Sequence, residues 1–326
     1  MLASAVDHDL LHRVQLLQRM ARETPVVRLD FEGLKLHAKL EFQNPFGSLK
    51  DRAALWIIKA AIERGEVTAQ TTVVESSSGN FASALAFFCR MLKIAFIPVI
   101  DPNITGSYEN FLRRTCAQVV KVEERDDTGG FLKTRLAKVE ELRRTLPHAF
   151  WTNQYGNPDN TDAHYNTTGL EICKAFEGSS LDYVFLGVSS GGTISGVSKR
   201  VKQHFPNAKI IAVDAVGSVI FGGPPKKRYI PGIGSSIVPP LVSQAIIDQV
   251  IHIPERDTAT ACQELLFRHG LFVGGSSGTV YAAIQKEAPQ IQSATHPPNV
   301  VFLCADRGSA YLDTVYDPEW VKRLHD

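Results

Sequence analysis

The residue best suited to covalent chemistry in this 326-residue chain is Lys50, in the segment Asn44-Pro45-Phe46-Gly47-Ser48-Leu49-Lys50-Asp51-Arg52. Residues 44–48 read as a turn, so Lys50 falls where the next helix begins. A lysine there is ordinarily a solvated surface residue. Beside an anion-binding helix terminus, and partly desolvated, its amine is also a Schiff-base nucleophile. Three further segments combine small residues with hydroxyls. Ser76-Ser77-Ser78-Gly79-Asn80 offers three hydroxyls and a permissive glycine before a helix, which suits a carboxylate and equally suits a plain N-cap. Ser189-Ser190-Gly191-Gly192-Thr193-Ile194-Ser195-Gly196 has the composition of a phosphate cup, since glycines let backbone approach and hydroxyls add donors; the plainer account is a glycine-rich helix start. Gly274-Gly275-Ser276-Ser277-Gly278-Thr279 is a fourth junction of this kind. Neither GxGxxG nor GxxxxGK[ST] occurs, which weakens dinucleotide and P-loop readings.

The surrounding pattern says what holds these segments. Apolar runs at 73–74, 94–100, 183–188, 210–213 and 300–304 lack polar alternation, as strands of a doubly covered parallel sheet do. Helical patterns at 53–64, 81–92, 131–144, 196–204 and 258–269 lie between them. This alternation predicts an α/β fold of parallel sheets flanked by helices, with right-handed crossovers. The small-residue turns then sit at the carboxyl ends of strands, where open α/β sheets bind ligands. The stretches 123–130 and 151–165 are candidate separators of two α/β halves, and the Pro/Gly-rich stretch 222–234 reads as a long, functional loop.

Composition narrows the classes. Hydrophobic residues make up 44% and charged residues 21%, as in a soluble globular enzyme. A formal net charge of +1 gives no global field for nucleic acid. The five cysteines are scattered without a CxxC, which reads as reduced thiols of a cytoplasmic protein; no HExxH or other metal pattern appears. Residues 1–11 contain acidic side chains and no long apolar run, so a secretory signal is not expected, and no stretch has the length of a membrane span.

The order and spacing of the four segments resemble the fold-type II pyridoxal-phosphate (PLP) family that includes cysteine synthase, cystathionine β-synthase and the tryptophan synthase β subunit. The likeness runs from Thr24-Pro25 to Asp306-Arg307-Gly308 and Tyr311. It implies PLP as cofactor, held by Lys50 as a Schiff base, with Asn80 on its 3′-oxygen. It also implies Ser190, Gly191, Gly192 and Thr193 on the phosphate, Ser189 at the edge of that loop, and Ser276 facing the pyridine nitrogen. A neutral serine there leaves the ring a weaker electron sink, which favours prompt β-elimination and replacement over transamination. The substrate carboxylate is implied to meet Ser77, Ser78, Gly79 and the backbone of Phe81, with Gln154 opposite. Ser77 and Phe81 replace the threonines usual in cysteine synthases, and the Phe81 ring is expected to reshape the substrate loop. The resemblance implies a smaller, mobile domain over 43–150, a larger one over 1–42 plus 151–326, PLP between them, and a homodimer.

Residues 134–138, 153–155, 212–222 and 306–308 resemble more closely one branch, the N-(2-amino-2-carboxyethyl)-L-glutamate synthases of 2,3-diaminopropionate formation, as in staphyloferrin B-type siderophore pathways. That branch implies O-phospho-L-serine and L-glutamate as amino-acid substrates, with Lys50 moving the α-proton. Arg135 is the candidate for the glutamate carboxylates, assisted by Tyr155 and Ser189; an exposed helix arginine is the plainer account of Arg135. Arg307 is a second candidate cation. Cysteine synthase with sulfide as nucleophile, a catalytically silent PLP-fold interaction protein, and a nucleotide-binding α/β protein are the competing readings.

Overall fold

The structure is a computed structural model describing residues 7–127, 129–292 and 296–324. Residues 1–6 of the amino-terminal segment read above lie outside the described residues. The chain forms two compact units. The smaller takes in the residues up to Arg22 and Asn44–Asn160; the larger takes in Glu23–Gln43 and the chain from Thr161.

In the smaller unit the described residues form a parallel sheet ordered β5 (Val120–Lys121), β4 (Ala95–Ile100), β3 (Thr72–Ser76), β6 (Ala149–Trp151). Its helices are α1 (His8–Met20), α2 (Lys50–Glu63), α3 (Asn80–Leu92), α4 (Gly106–Thr115) and α5 (Leu132–Thr145). Leu10, Val14 and Leu17 form one stripe of α1, at the spacing of an amphipathic helix. They are buried in one core with Ile57 and Ile58 of α2 and Leu85 and Phe88 of α3. This corrects the expected boundary: 1–42 does not join the larger unit as a block, because the apolar stripe of α1 finds its partners on α2 and α3.

In the larger unit the described residues form a sheet ordered β1 (Val26–Leu29), β2 (Lys35–Lys39), β10 (Asn299–Leu303), β7 (Tyr183–Gly187), β8 (Lys209–Ala215), β9 (Gln249–Ile253). β1 is antiparallel to β2, and the other pairs are parallel. The runs 184–186, 210–213 and 300–302 are buried throughout, as a sheet covered on both faces requires. Helix α6 (Pro158–His164) leads into a π-helical turn, Tyr165–Gly169, then α7 (Leu170–Ala175) and α8 (Gly192–His204). α9 (Glu255–His269), α10 (Gly275–Ile291) and the short α11 (Pro318–Val321) follow. No helix among the described residues is long and apolar enough to cross a membrane. The five cysteines are free thiols, and no cluster of three or more metal-ligating side chains occurs among the described residues.

β1 and β2 were not legible as strands, and the chemistry of Lys39 shows why. This lysine ends β2 and is fully buried. Its Nζ lies 2.7 Å from Glu171 Oε2, 3.0 Å from the Thr24 carbonyl and 3.7 Å from Glu41 Oε1. Thr24 donates its hydroxyl to Glu41 and its N–H to Glu171. A buried ammonium between two carboxylates is maintained only as a set, because removing one member strands the others' charge. Lys39→Met is expected to lower unfolding stability by about 3–5 kcal/mol. A shift of the chemical-denaturation midpoint checks this; an unchanged midpoint overturns it.

Candidate active site

In the smaller unit the turn before Lys50 is built from short-range contacts. Gly47 takes φ +103°, a conformation that favours glycine, and its N–H bonds the Asn44 carbonyl at 2.9 Å. Ser48 Oγ accepts from the Lys50 N–H at 3.2 Å and donates to Asp51 Oδ1 at 3.2 Å. Asp51 Oδ2 also accepts from the Phe46 N–H at 2.6 Å. The Phe46 ring packs on Phe87 of α3 and Phe111 of α4, with centroids 5.4 and 4.9 Å away. The serine and aspartate therefore work as a capping pair, and Lys50 becomes the first residue of α2.

The three hydroxyls of the substrate-loop candidate have different fates. Ser76 Oγ is buried and has no hydrogen-bond partner among the described residues. Ser77 Oγ caps α3 by accepting from the Ala82 N–H at 3.2 Å. Ser78 Oγ donates to Asp101 Oδ2 and accepts from the Asp101 N–H and from Arg135 Nη1, each at 3.1 Å. Gly79 immediately precedes α3, and Asn80 opens it. Helix-start N–H groups lack intrahelical acceptors, so this terminus suits a carboxylate. The Tyr108 hydroxyl donates to Asn80 Oδ1, which fixes which way the amide faces. The Phe81 ring is only 2% exposed and belongs to the core. The ring thus packs in the core of the smaller unit, which corrects the expectation that it reshapes the loop.

Gln154 and Arg135 both reach the same loop. Gln154 Nε2 donates to the Ser76 carbonyl at 3.3 Å. Tyr155 follows it and is half-buried. The Arg135 side chain is 13% exposed and pairs with Asp101 at 3.2 Å, so the exposed-arginine account does not hold. Glu75, unmarked by any motif, is fully buried at the end of β3. It accepts from the Ser76 N–H at 2.7 Å, the Thr152 hydroxyl at 2.5 Å and the Gln154 N–H at 3.3 Å. It thereby joins the strand end to the Gln154 turn. Asp101, Glu75 and Tyr108 escaped the sequence reading because each acts through a neighbour distant in the chain. The one available signal was an acidic residue within or just after an apolar strand.

In the larger unit Ser189–Thr193 follows β7 and leads into α8. Gly191 takes φ +90°, and a Cβ there would lie 2.8 Å from the Val242 N, so this position requires glycine. Ser190 and Thr193 are buried, and Gly192 and Thr193 form the first turn of the 13-residue helix. Behind the loop, Thr193 Oγ1 lies 3.2 Å from His164 Nε2, whose Nδ1 lies 3.0 Å from Thr168 Oγ1. His164 was another residue the sequence reading missed. Ser189 Oγ donates to the Gly234 carbonyl at 3.2 Å, which ties this loop to the end of the 222–234 segment. Ser276 lies in the first turn of α10, its carbonyl 3.9 Å from where a Cβ of Gly187 would be, so the end of β7 and the start of α10 are neighbours. Arg307 is exposed and its guanidinium lies 5.6 Å from the centre of the Phe42 ring. Two hydroxyls, glycine backbone and a helix N-terminus are a donor set that fits a phosphate, and a lysine opening a helix fits an aldehyde.

Burial pushes the Glu75 carboxyl up to about 7, against the lowering by its hydrogen-bond donors. The folded chain thus holds this proton more tightly than the unfolded chain does. The stability it contributes is complete below the ordinary value of 4.5 and is lost as pH rises through about 7. Wild type is expected to lose about 3 kcal/mol over that window relative to the slope of Glu75→Gln. Denaturation midpoints measured from pH 4.5 to 8 on both proteins check this, and parallel profiles would exclude it.

Comparison with known proteins agrees with this geometry. The family model of pyridoxal-phosphate dependent enzymes matches residues 17–306. An N-(2-amino-2-carboxyethyl)-L-glutamate synthase from Ralstonia nicotianae is 44% identical over 305 residues, covering 92% of this chain and 89% of its own. The enzyme of that name from Cupriavidus metallidurans is 42% identical over the same shares. Among solved structures, the O-acetylserine dependent cystathionine β-synthase of Helicobacter pylori superposes with a TM-score of 0.84 at 29% identity, over 91% of this chain and 97% of that one. With the family model matching residues 17–306 and a relative 44% identical over 92% of the chain, the chain belongs to the pyridoxal-phosphate dependent enzyme family.

Proposed function

We propose that this enzyme carries out β-replacement, exchanging the phosphate of O-phospho-L-serine for the α-amine of L-glutamate to give N-(2-amino-2-carboxyethyl)-L-glutamate. The observation that carries the reading is the Arg135 guanidinium, largely buried and bonded to the hydroxyl of Ser78 in the serine loop. The identity to the two synthases supports the same choice. A sulfide nucleophile needs no such group, whereas a dicarboxylate amine does.

When bound, PLP would supply the electron sink for chemistry at Cα. Lys50 holds it, and its Nζ takes the Cα proton and returns it at the end. Asn80, with its amide fixed by Tyr108, binds the ring oxygen. Ser190, Gly191, Gly192 and Thr193 would hold the phosphate of PLP, and the neutral Ser276 would serve its pyridine nitrogen without charging it. The N-terminus of α3, with Ser77 and the backbone of Gly79 and Phe81, binds the first carboxylate, and Gln154 flanks it. Arg135, with Tyr155 and Ser189, binds glutamate. Formation of 2,3-diaminopropionate for a siderophore, a cytoplasmic setting and a homodimer belong to the same proposal.

The test is mass spectrometry of the holoenzyme given O-phosphoserine with glutamate or sulfide in parallel, with phosphate release followed. The glutamate adduct with stoichiometric phosphate is expected. Arg135→Ala is expected to raise the KM for glutamate about 10–100-fold, the value of one or two charged hydrogen bonds. Cysteine as the sole product would replace this reading with a cysteine synthase.

A further inference from the structure

Asp101 directly follows β4 and takes no part in the motifs of the serine loop or the lysine turn. It is 5% exposed. Its Oδ1 accepts from the Asn103 N–H at 2.8 Å, which fixes the plane of the carboxylate. Its Oδ2 takes the Ser78 hydroxyl proton at 3.1 Å and lies 3.2 Å from Arg135 Nε. Its own N–H returns a bond to Ser78 Oγ at 3.1 Å, and Arg135 Nη1 gives that oxygen another at 3.1 Å. A serine hydroxyl has one proton and two lone pairs, and here all three are used. Ser78 therefore has no side-chain capacity for a ligand; it links carboxylate and guanidinium.

We propose that Asp101 is the positioning residue that holds Arg135 ready for the carboxylate of the second substrate. The inference rests on the role given to Arg135 above. An arginine is a long side chain, and ordering it on each binding event weakens affinity unless something orders it beforehand. Asp101 does so by charge, its Oδ2 3.2 Å from Nε although the Nε N–H makes no hydrogen bond among the described residues, and Ser78 does so by accepting one Nη1 proton. A guanidinium held in this way keeps further N–H donors, and two on one edge can take a carboxylate in parallel bonds. The aspartate also cancels the arginine charge in this enclosed place. Recognition is then weighted toward a planar carboxylate that engages both nitrogens and away from anions in general.

The discriminating experiment is a double-mutant cycle on the holoenzyme, reading KM for glutamate separately from kcat. Asp101→Ala is expected to raise that KM about tenfold, with a smaller change in kcat. In the Arg135→Ala background the same substitution is expected to change KM less than about twofold, because there is no longer a guanidinium to orient. Asp101→Asn keeps an oxygen toward Nε and is expected to recover part of the loss, which also guards against misfolding of the alanine variant. An equal KM increase in both backgrounds, or no increase with wild-type Arg135, would overturn the proposal while leaving the glutamate reaction standing. Absence of the glutamate adduct from wild type would instead remove the reaction, and this inference with it.

Discussion

The parallel pairing of β3 with β4 is the constraint on which the smaller unit's half of the chemistry depends. The register sets Glu75 opposite Pro98 and Ser76 opposite Val99. The two strands thus leave the sheet level with each other, and Ser78, two residues beyond one, meets Asp101, one residue beyond the other. On the opposite edge of β3 the register sets Val74 against Trp151. That brings Thr152 and the Gln154 turn down onto the Glu75 carboxyl. A slip of one residue in the β3–β4 pairing would separate Ser78 from Asp101, and one in the β3–β6 pairing would carry Thr152 and Gln154 away from Glu75. The serine loop is held by its neighbours' strand ends, more than by its own sequence.

In the larger unit the same logic runs through glycine and a long loop. The end of β7 must admit three things at once: the turn into α8, the start of α10, and Ile233 of the 222–234 segment. Gly187 meets that demand, since a Cβ there would already stand 3.3 Å from both Ile233 and Val280. The Gly234 N–H bonds the Val188 carbonyl at 2.8 Å, and Ser189 bonds back to the Gly234 carbonyl. The Pro/Gly-rich segment read as a long, functional loop is therefore fastened at its end to Val188 and Ser189, which lead into the Ser190–Thr193 turn.

What could be read from the sequence divides along the line between local and distant causes. The strands at 94–100, 183–188, 210–213 and 300–304 announced themselves by unbroken apolar runs, because both faces of a parallel strand are covered. The start of α2 at Lys50 was legible because Gly47, Ser48 and Asp51 make its cap within a few residues. β2 was not legible: Lys-Leu-His-Ala-Lys reads as half-exposed until Glu171, far along the chain, is found against Lys39. The placement of α1 was missed for a related reason, since an apolar stripe states that a partner exists and not which element supplies it. The ring of Phe81 was misjudged because a helix's second residue can face the ligand or the core, and only the packing of α3 decides between them.

The serine loop gives the sharpest form of this distinction. Its three consecutive serines are chemically equal in the sequence, yet one is buried beneath the strand end, one caps a helix, and one joins a carboxylate to a guanidinium. Nothing in the triplet ranks them; Asp101 and Ala82 do. The motifs that name the cofactor are largely local, being helix starts with their own caps and glycines. The groups proposed to select the nucleophile, Arg135 of α5 and Asp101 after β4, lie outside the four cofactor segments. Under the proposed roles of Arg135 and Asp101, a chain could keep every motif of the cofactor intact and still change its second substrate at those two positions.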